Sequence, residues 1–182
     1  MAIHVALLRG INVGGKNMIK MPELKACFEA DGFDDVRTYI QSGNVLFRAG
    51  GPGPVLARRI EKVLGKTFTH YQAWAVVRSR AQMRTIVEKA PEGFGTDPDG
   101  HLYDVVFLKE PLTASAALKD VPVREDVDEV FAGRGVLYFS RLKSAATRSR
   151  LNRVASLPIY RSMTIRNWNT TTRLLEMMEG AP

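Results

Sequence analysis

Val36-Arg-Thr-Tyr-Ile-Gln-Ser-Gly-Asn-Val-Leu-Phe-Arg48 is the stretch that decides the fold. β-Branched and aromatic residues from Val36 to Gln41 predict one strand, and Val45 to Arg48 predict another. Ser42-Gly43-Asn44 between them has turn chemistry, so the whole reads as a β-hairpin. Upstream, Ile3 to Leu8 is an apolar run with the character of a buried strand, followed by a glycine-rich loop that reaches Pro22. A proline there suits the first turn of a helix. Leu24, Cys27 and Phe28 then recur at helical spacing, and Gly32 ends the element. This spacing makes Cys27 a core residue rather than a nucleophile. Downstream, Gly50-Gly-Pro-Gly-Pro54 is a loop, Val55 to Leu64 an amphipathic helix and Ala73 to Arg78 a strand. Ser79 caps a further helix that runs towards Ala90.

After a polar linker from Pro91 to Gly100 the same order begins again. Tyr103 to Leu108 is a strand and Thr113 to Leu118 a short helix. Asp126 to Phe131 and Val136 to Phe139 form a hairpin about Gly133-Arg134-Gly135. Ala145 to Leu157 is expected as a helix, Met163 to Arg166 as a strand and Asn169 to Met178 as the last helix. The expected fold is therefore α+β, two ferredoxin-like βαββαβ repeats each with a trailing helix, occupying 1–91 and 92–182. Right-handed crossovers leave the third strand of such a unit between the first and second. The loop after the first strand and the hairpin turn then share one end of the sheet.

A chain of 182 residues with 45% apolar and 25% charged side chains has enough core to fold without disulfides or a structural metal. A single cysteine and a start without a charged-then-apolar leader point to a reducing cytoplasm. No apolar run approaches the roughly 18 residues of a membrane span, so no membrane partner is expected. The net charge of +7 is unevenly spread. Residues 1–91 carry +7, residues 92–140 carry −6, and residues 141–175 hold eight basic side chains with no carboxylate. That basic block must pair with the acidic one, face water or meet an anion, and the net positive charge makes a phosphate-bearing small molecule or a nucleic acid the expected partner.

Two constellations carry candidate chemistry. Gly10 to Asn17 nearly spells the phosphate loop G-x-x-x-x-G-K-[ST], but Asn17 stands where a hydroxyl should hold magnesium, and the helix waits until Pro22. A nucleotide triphosphatase is therefore not expected. Arg9, Asn12, Gly14, Gly15, Lys16 and Asn17 read either as an anion-binding loop or as a tight turn with solvated charges. The topology adds Gln41, Ser42 and Asn44 at the same sheet end. The second constellation is Arg166, Asn167, Trp168 and Asn169 at a strand-to-helix junction. There an asparagine can cap the helix, and the tryptophan either stacks on a base or closes the core. Arg148 and Ser149 precede it in the acid-free block, where arginines suit phosphates.

No catalytic residue, metal site or cofactor emerges. His4, His70 and His101 have no ligand spacing, and the acids from Glu125 to Glu129 read as a solvated edge. The leading reading is a binding protein for a phosphate-bearing ligand or nucleic acid. An alternative is a metal-independent enzyme on a small phosphorylated metabolite, with Lys16 or an arginine stabilising charge, and a third is a structural or partner-binding protein. The oligomeric state is open.

Three motifs, Leu7-Leu-Arg-Gly-Ile-Asn-Val-Gly-Gly-Lys-Asn17, Arg37-Thr-Tyr-Ile-Gln-Ser-Gly-Asn-Val45 and Arg166-Asn-Trp-Asn-Thr170, resemble the signatures of the bacterial DUF1697 family, named for its unknown function. Arg148-Ser-Arg-Leu151 resembles a family pattern that usually reads Arg-Ser-Lys-Leu, with arginine replacing lysine here. The resemblance implies a cytoplasmic α+β protein and no particular activity.

Overall fold

A computed structural model describes residues 1–180. The first sheet is built from β1 (Ala2–Leu8), β2 (Asp34–Tyr39), β3 (Asn44–Ala49) and β4 (Ala75–Ser79), in the order β2-β3-β1-β4 with every pair antiparallel. β1 is hydrogen-bonded on both sides and buried from Ile3 onward, which is why it reads as a continuous apolar run. Helices α1 (Met21–Ala30) and α2 (Gly53–Thr67) each carry a proline in the first turn, where a missing N–H costs nothing. They pack Leu24, Phe28, Leu56, Ile60 and Leu64 against Ala6, Leu8, Val45, Phe47 and Val77. Phe33 lies 4.8 Å from Phe47, ring to ring, and Arg59 lies over Phe33 at 4.2 Å while its Nε donates to Asp31 at 2.7 Å. After β4 the chain turns directly into α3 (Arg80–Glu88). Ser79 Oγ accepts the Gln82 N–H, and Gln82 Oε1 accepts the Ser79 N–H, a reciprocal capping box.

The second sheet has β5 (His101–Leu108), β6 (Asp128–Gly133), β7 (Val136–Leu142) and β8 (Met163–Asn167), ordered β6-β7-β5-β8 and again antiparallel throughout. α4 (Ala114–Asp120) starts at Thr113, whose Oγ1 accepts the Ala116 N–H at 3.2 Å, and α5 (Trp168–Glu179) follows β8 without a loop. Where one helix is expected over Ala145 to Leu157, the chain instead makes three short 3-10 turns, Lys143–Arg148, Leu151–Ser156 and Pro158–Ser162. The apolar period is right, because Ala145, Leu151 and Val154 are buried against the sheet. Polar side chains break the helix: Ser149 Oγ takes the Leu151 N–H, Asp128 Oδ2 takes the Arg150 N–H at 2.8 Å, and the Asn152 amide donates to the Ala146 carbonyl. Each of these bonds draws a backbone group away from the helical ladder.

Mixed α+β architecture with two four-stranded antiparallel sheets is thus established. By packing, one compact unit comprises residues 1–83 with the stretch from Leu174, and the other comprises 84–173. The division falls inside the two helices α3 and α5. In the first unit Arg37 Nη2 reaches the Met177 carbonyl at 3.5 Å; in the second the buried Tyr138 hydroxyl donates to the Ile86 carbonyl at 2.6 Å.

His4 sits in β1, 4% exposed, with its ring stacked on Phe47. Burial holds its pKa below the ordinary 6.5, outweighing a contact with the Ala49 backbone. The folded state therefore binds a proton less readily than the unfolded chain, so stability is full above pH 6.5 and falls as pH drops below it. Thermal melts between pH 7.5 and 5 are expected to show a decline in wild type that His4→Phe flattens; equal slopes would refute this origin.

Candidate functional site

In the first unit the β1–α1 loop and the β2–β3 turn meet at one end of the sheet. The Leu8 N–H donates to the Gly43 carbonyl at 2.8 Å, and a Cβ at Gly43 would lie 2.9 Å from that of Leu8, so only glycine fits at this φ of +75°. The Asn12 side chain joins the two segments: its amide donates to the carbonyls of Ile19 and Gln41, both at 2.9 Å, and its Oδ1 accepts the Ile19 N–H at 2.8 Å. Within the loop, Gly14 and Gly15 take φ of +58° and +73°, and the Lys16 N–H donates to the Val13 carbonyl at 3.0 Å. Positive φ at both central residues is the type I′ turn of a tight hairpin. Asn17 donates to the Gly10 carbonyl, and buried Asn44 donates to Tyr39 O and Ser42 Oγ. The Arg9 guanidinium lies 5.0 Å above the Trp74 ring while its carbonyl accepts the Tyr71 hydroxyl.

Three of the asparagines singled out by their sequence positions therefore hold backbone, whereas Gly14, Gly15, Lys16 and Gln41 are exposed. Asn12→Ala is expected to cost about 1–3 kcal/mol, since it strands the part-buried Ile19 backbone groups. Chemical denaturation measures the loss, and faster exchange of the Ile19 amide than of the β1 amides would localise it.

In the second unit the junction residues divide. Arg166 is buried and its Nη1 donates to Thr164 Oγ1 and to the Ile165 carbonyl, folding the guanidinium back along its own strand. Asn167 Oδ1 accepts the Thr170 N–H at 2.7 Å and caps α5. Trp168 stands edge-on to Phe94 at 5.1 Å, and a methyl group at Gly95 would fall on its indole nitrogen. Asn167, Trp168 and Asn169 form one wall of a cleft of about 370 Å³, whose other wall includes Tyr103, Asp104, Arg141 and Lys143. Arg148, Ser149 and Arg166 do not line it. Arg148 instead reaches Asp126 at 3.7 Å, and Ser149 is buried in the turn described above.

Charge in the cleft is arranged in pairs. Arg141 bridges the Asp104 carboxylate and the Asn152 side chain. Burial pushes the Asp104 carboxyl above its ordinary pKa despite the guanidinium, so this pair is desolvated. Lys143 is fastened to the turn before β5 by its own N–H, bonded to the Gly100 carbonyl, and by its ammonium on the Pro98 carbonyl at 3.0 Å. In that turn Asp97 Oδ1 accepts the Gly100 N–H and Oδ2 meets His101 Nδ1 at 2.9 Å. The imidazole bond, and next the Gly100 amide, hold Asp97 below the usual carboxylate range. A smaller cleft of about 170 Å³ adjoins, sharing His101 and Tyr103 and lined also by Phe94, Glu129 and Phe131.

Sequence reasoning missed the contribution of the segment 91–101, which reads as a plain linker. Its signals were Asp97-Pro-Asp-Gly100, a turn that presents His101, and Phe94-Gly95, an apolar residue beside a glycine in an otherwise polar run. Phe94 is buried, with its ring near Tyr103, Tyr138 and Trp168.

Fold and cleft together define an α+β protein with two antiparallel sheets and a small polar-aromatic cleft on the second. The sequence profile of the family described as "Protein of unknown function (DUF1697)" matches residues 1–138, and the chain belongs to that family. Its fold is similar to the solved structure of the conserved bacterial protein SP0830 from Streptococcus pneumoniae. The TM-score is 0.82 and the identity 23%, over 98% of this chain and 99% of that one. No curated protein matches the chain significantly. Among the described residues no helix is long and apolar enough to cross a membrane.

Proposed function

We propose that the second unit binds a phosphate-bearing ligand that carries an aromatic base, a nucleotide or the end of a nucleic-acid strand. The observation that carries this reading is that Trp168, Lys143 and the Asn167–Asn169 pair line one cleft at the start of α5. An indole and a phenol supply stacking surfaces, the asparagine side chains read a base edge, and the Lys143 ammonium takes a phosphate. The first four-stranded unit is read as a ferredoxin-like βαββαβ arrangement and the second as the same arrangement with 3-10 turns in place of its second helix, which the order β2-β3-β1-β4 and its counterpart support. Trp168 gives a direct probe. Titration with adenosine diphosphate or a short single-stranded oligonucleotide at low ionic strength is expected to quench its fluorescence. Lys143→Ala should weaken binding about tenfold and reduce its salt dependence. Binding indifferent to salt, or a quench that survives in Trp168→Phe, would sink the reading.

The Asp97–His101 pair favours a second reading, a metal-independent hydrolase acting on the same ligand class. An aspartate bonded to imidazole Nδ1 orients the ring with Nε2 available as a general base. Turnover of a chromogenic phosphodiester in the presence of EDTA, abolished by His101→Asn with folding intact, is the expected outcome. Equal turnover in that variant would eliminate it.

A further inference from the structure

The first unit exposes three large aliphatic side chains at one end of its sheet: Val13 (62% exposed), Met18 (61%) and Ile40 (49%). The backbone that carries them is drawn together although Ile40 is distant in sequence. Val13 adjoins Asn12, Met18 adjoins Ile19 and Ile40 adjoins Gln41, and the Asn12 side chain is hydrogen-bonded to both Ile19 and Gln41. Ile40 holds a φ of +48°. A β-branched residue is a steric outlier in that region, where asparagine or glycine is the ordinary choice. Local folding thus does not explain why this position carries an exposed isoleucine.

The charged side chains of the two loop segments are basic, with Lys20 paired to Glu23 in the first turn of α1. The sequence has no carboxylate before Glu23, while Lys16 and Lys20 flank the turn, and the hairpin segment 39–44 is uncharged. Lys20 remains largely exposed even with Glu23 at 3.8 Å. We propose that this tip, Val13, Met18 and Ile40 with Lys16 and Lys20, docks on an anionic lipid bilayer surface. The aliphatic side chains enter the interface, and the ammonium groups sit at the headgroups. Three side chains fall far short of the roughly 800 Å² per partner of a standard protein interface, whereas a lipid phase moulds itself around small projecting groups. The absence of aromatic side chains among the three exposed residues argues against base stacking as their purpose. Docking of this kind needs no spanning run, so the lack of one in the sequence does not bear on it.

Co-sedimentation of the full chain with vesicles of phosphatidylglycerol and phosphatidylcholine, compared with pure phosphatidylcholine, tests the proposal. Pelleting is expected on the anionic vesicles only, weakening at high salt. In the triple variant Val13→Ser, Met18→Ser, Ile40→Asn it should fall at least tenfold with an unchanged or higher melting temperature, because asparagine tolerates the φ of residue 40. Lys16→Glu should lower pelleting as well. No pelleting on anionic vesicles at low salt would overturn the proposal. So would full retention by the triple variant, which would reduce the effect to net charge. A concentration-dependent dimer that the triple variant abolishes would overturn it in favour of a second copy of the chain.

Discussion

The last rung of the β1–β3 ladder, where the Leu8 N–H meets the Gly43 carbonyl, is the constraint on which the first unit's loop end depends. It ties the end of a strand buried on both faces to a hairpin turn with no room for a side chain. With that contact in place the glycine-rich loop must rise beside the turn, and Asn12 can satisfy backbone groups on both sides. Gly14, Gly15, Asn12, Asn17 and Ile40 all take positive φ at this end of the unit. Strained backbone concentrated in two abutting loops persists only where many hydrogen bonds over-determine it. The abundance of asparagine here is explained by that demand: its amide donates and accepts, and it tolerates left-handed backbone.

The second unit solves a comparable problem with aromatic packing. Phe94 is the hub among Tyr103, Tyr138 and Trp168, and Gly95 leaves space for the indole. The segment before β5 is thereby held against the sheet, and the cleft exists because it is. Charge follows the same geometry. The basic block from 141 and the acidic block before it meet within this unit, through Arg141 with Asp104 and Arg148 with Asp126, while the Asp128 carboxylate accepts the backbone N–H groups of Arg124 and Arg150. The Arg148 pair is exposed and contributes little to stability. Asp128 is buried and shapes the chain, because its bonds to backbone stop a helix from forming.

Element type and order were legible in the sequence, and so was the meeting of the first loop with the hairpin turn, because these follow from periodicity, turn residues and crossover handedness. Pro22, Thr113 and Ser79 marked helix starts through local chemistry. The 3-10 turns over 143–162 were not legible, since the apolar spacing there is helical and the competing acceptor, Asp128, lies far away in sequence. The candidate site was half legible. Asn167, Trp168 and Asn169 stood out as a motif, but Arg166 points elsewhere by the alternation of β8, and Tyr103, Asp104, Arg141 and Lys143 carried no local sign of convergence.

By itself, then, the sequence determined the α+β class, the succession of strands and helices and the uneven charge, all properties of neighbours along the chain. Only the tertiary structure decided which polar side chains are spent on backbone and which reach solvent. It also decided where α3 and α5 divide between the units, and that a linker becomes the wall of a cleft. Those outcomes depend on hydrogen-bond partners and packing surfaces brought together from distant positions, and no local pattern encodes which partner arrives.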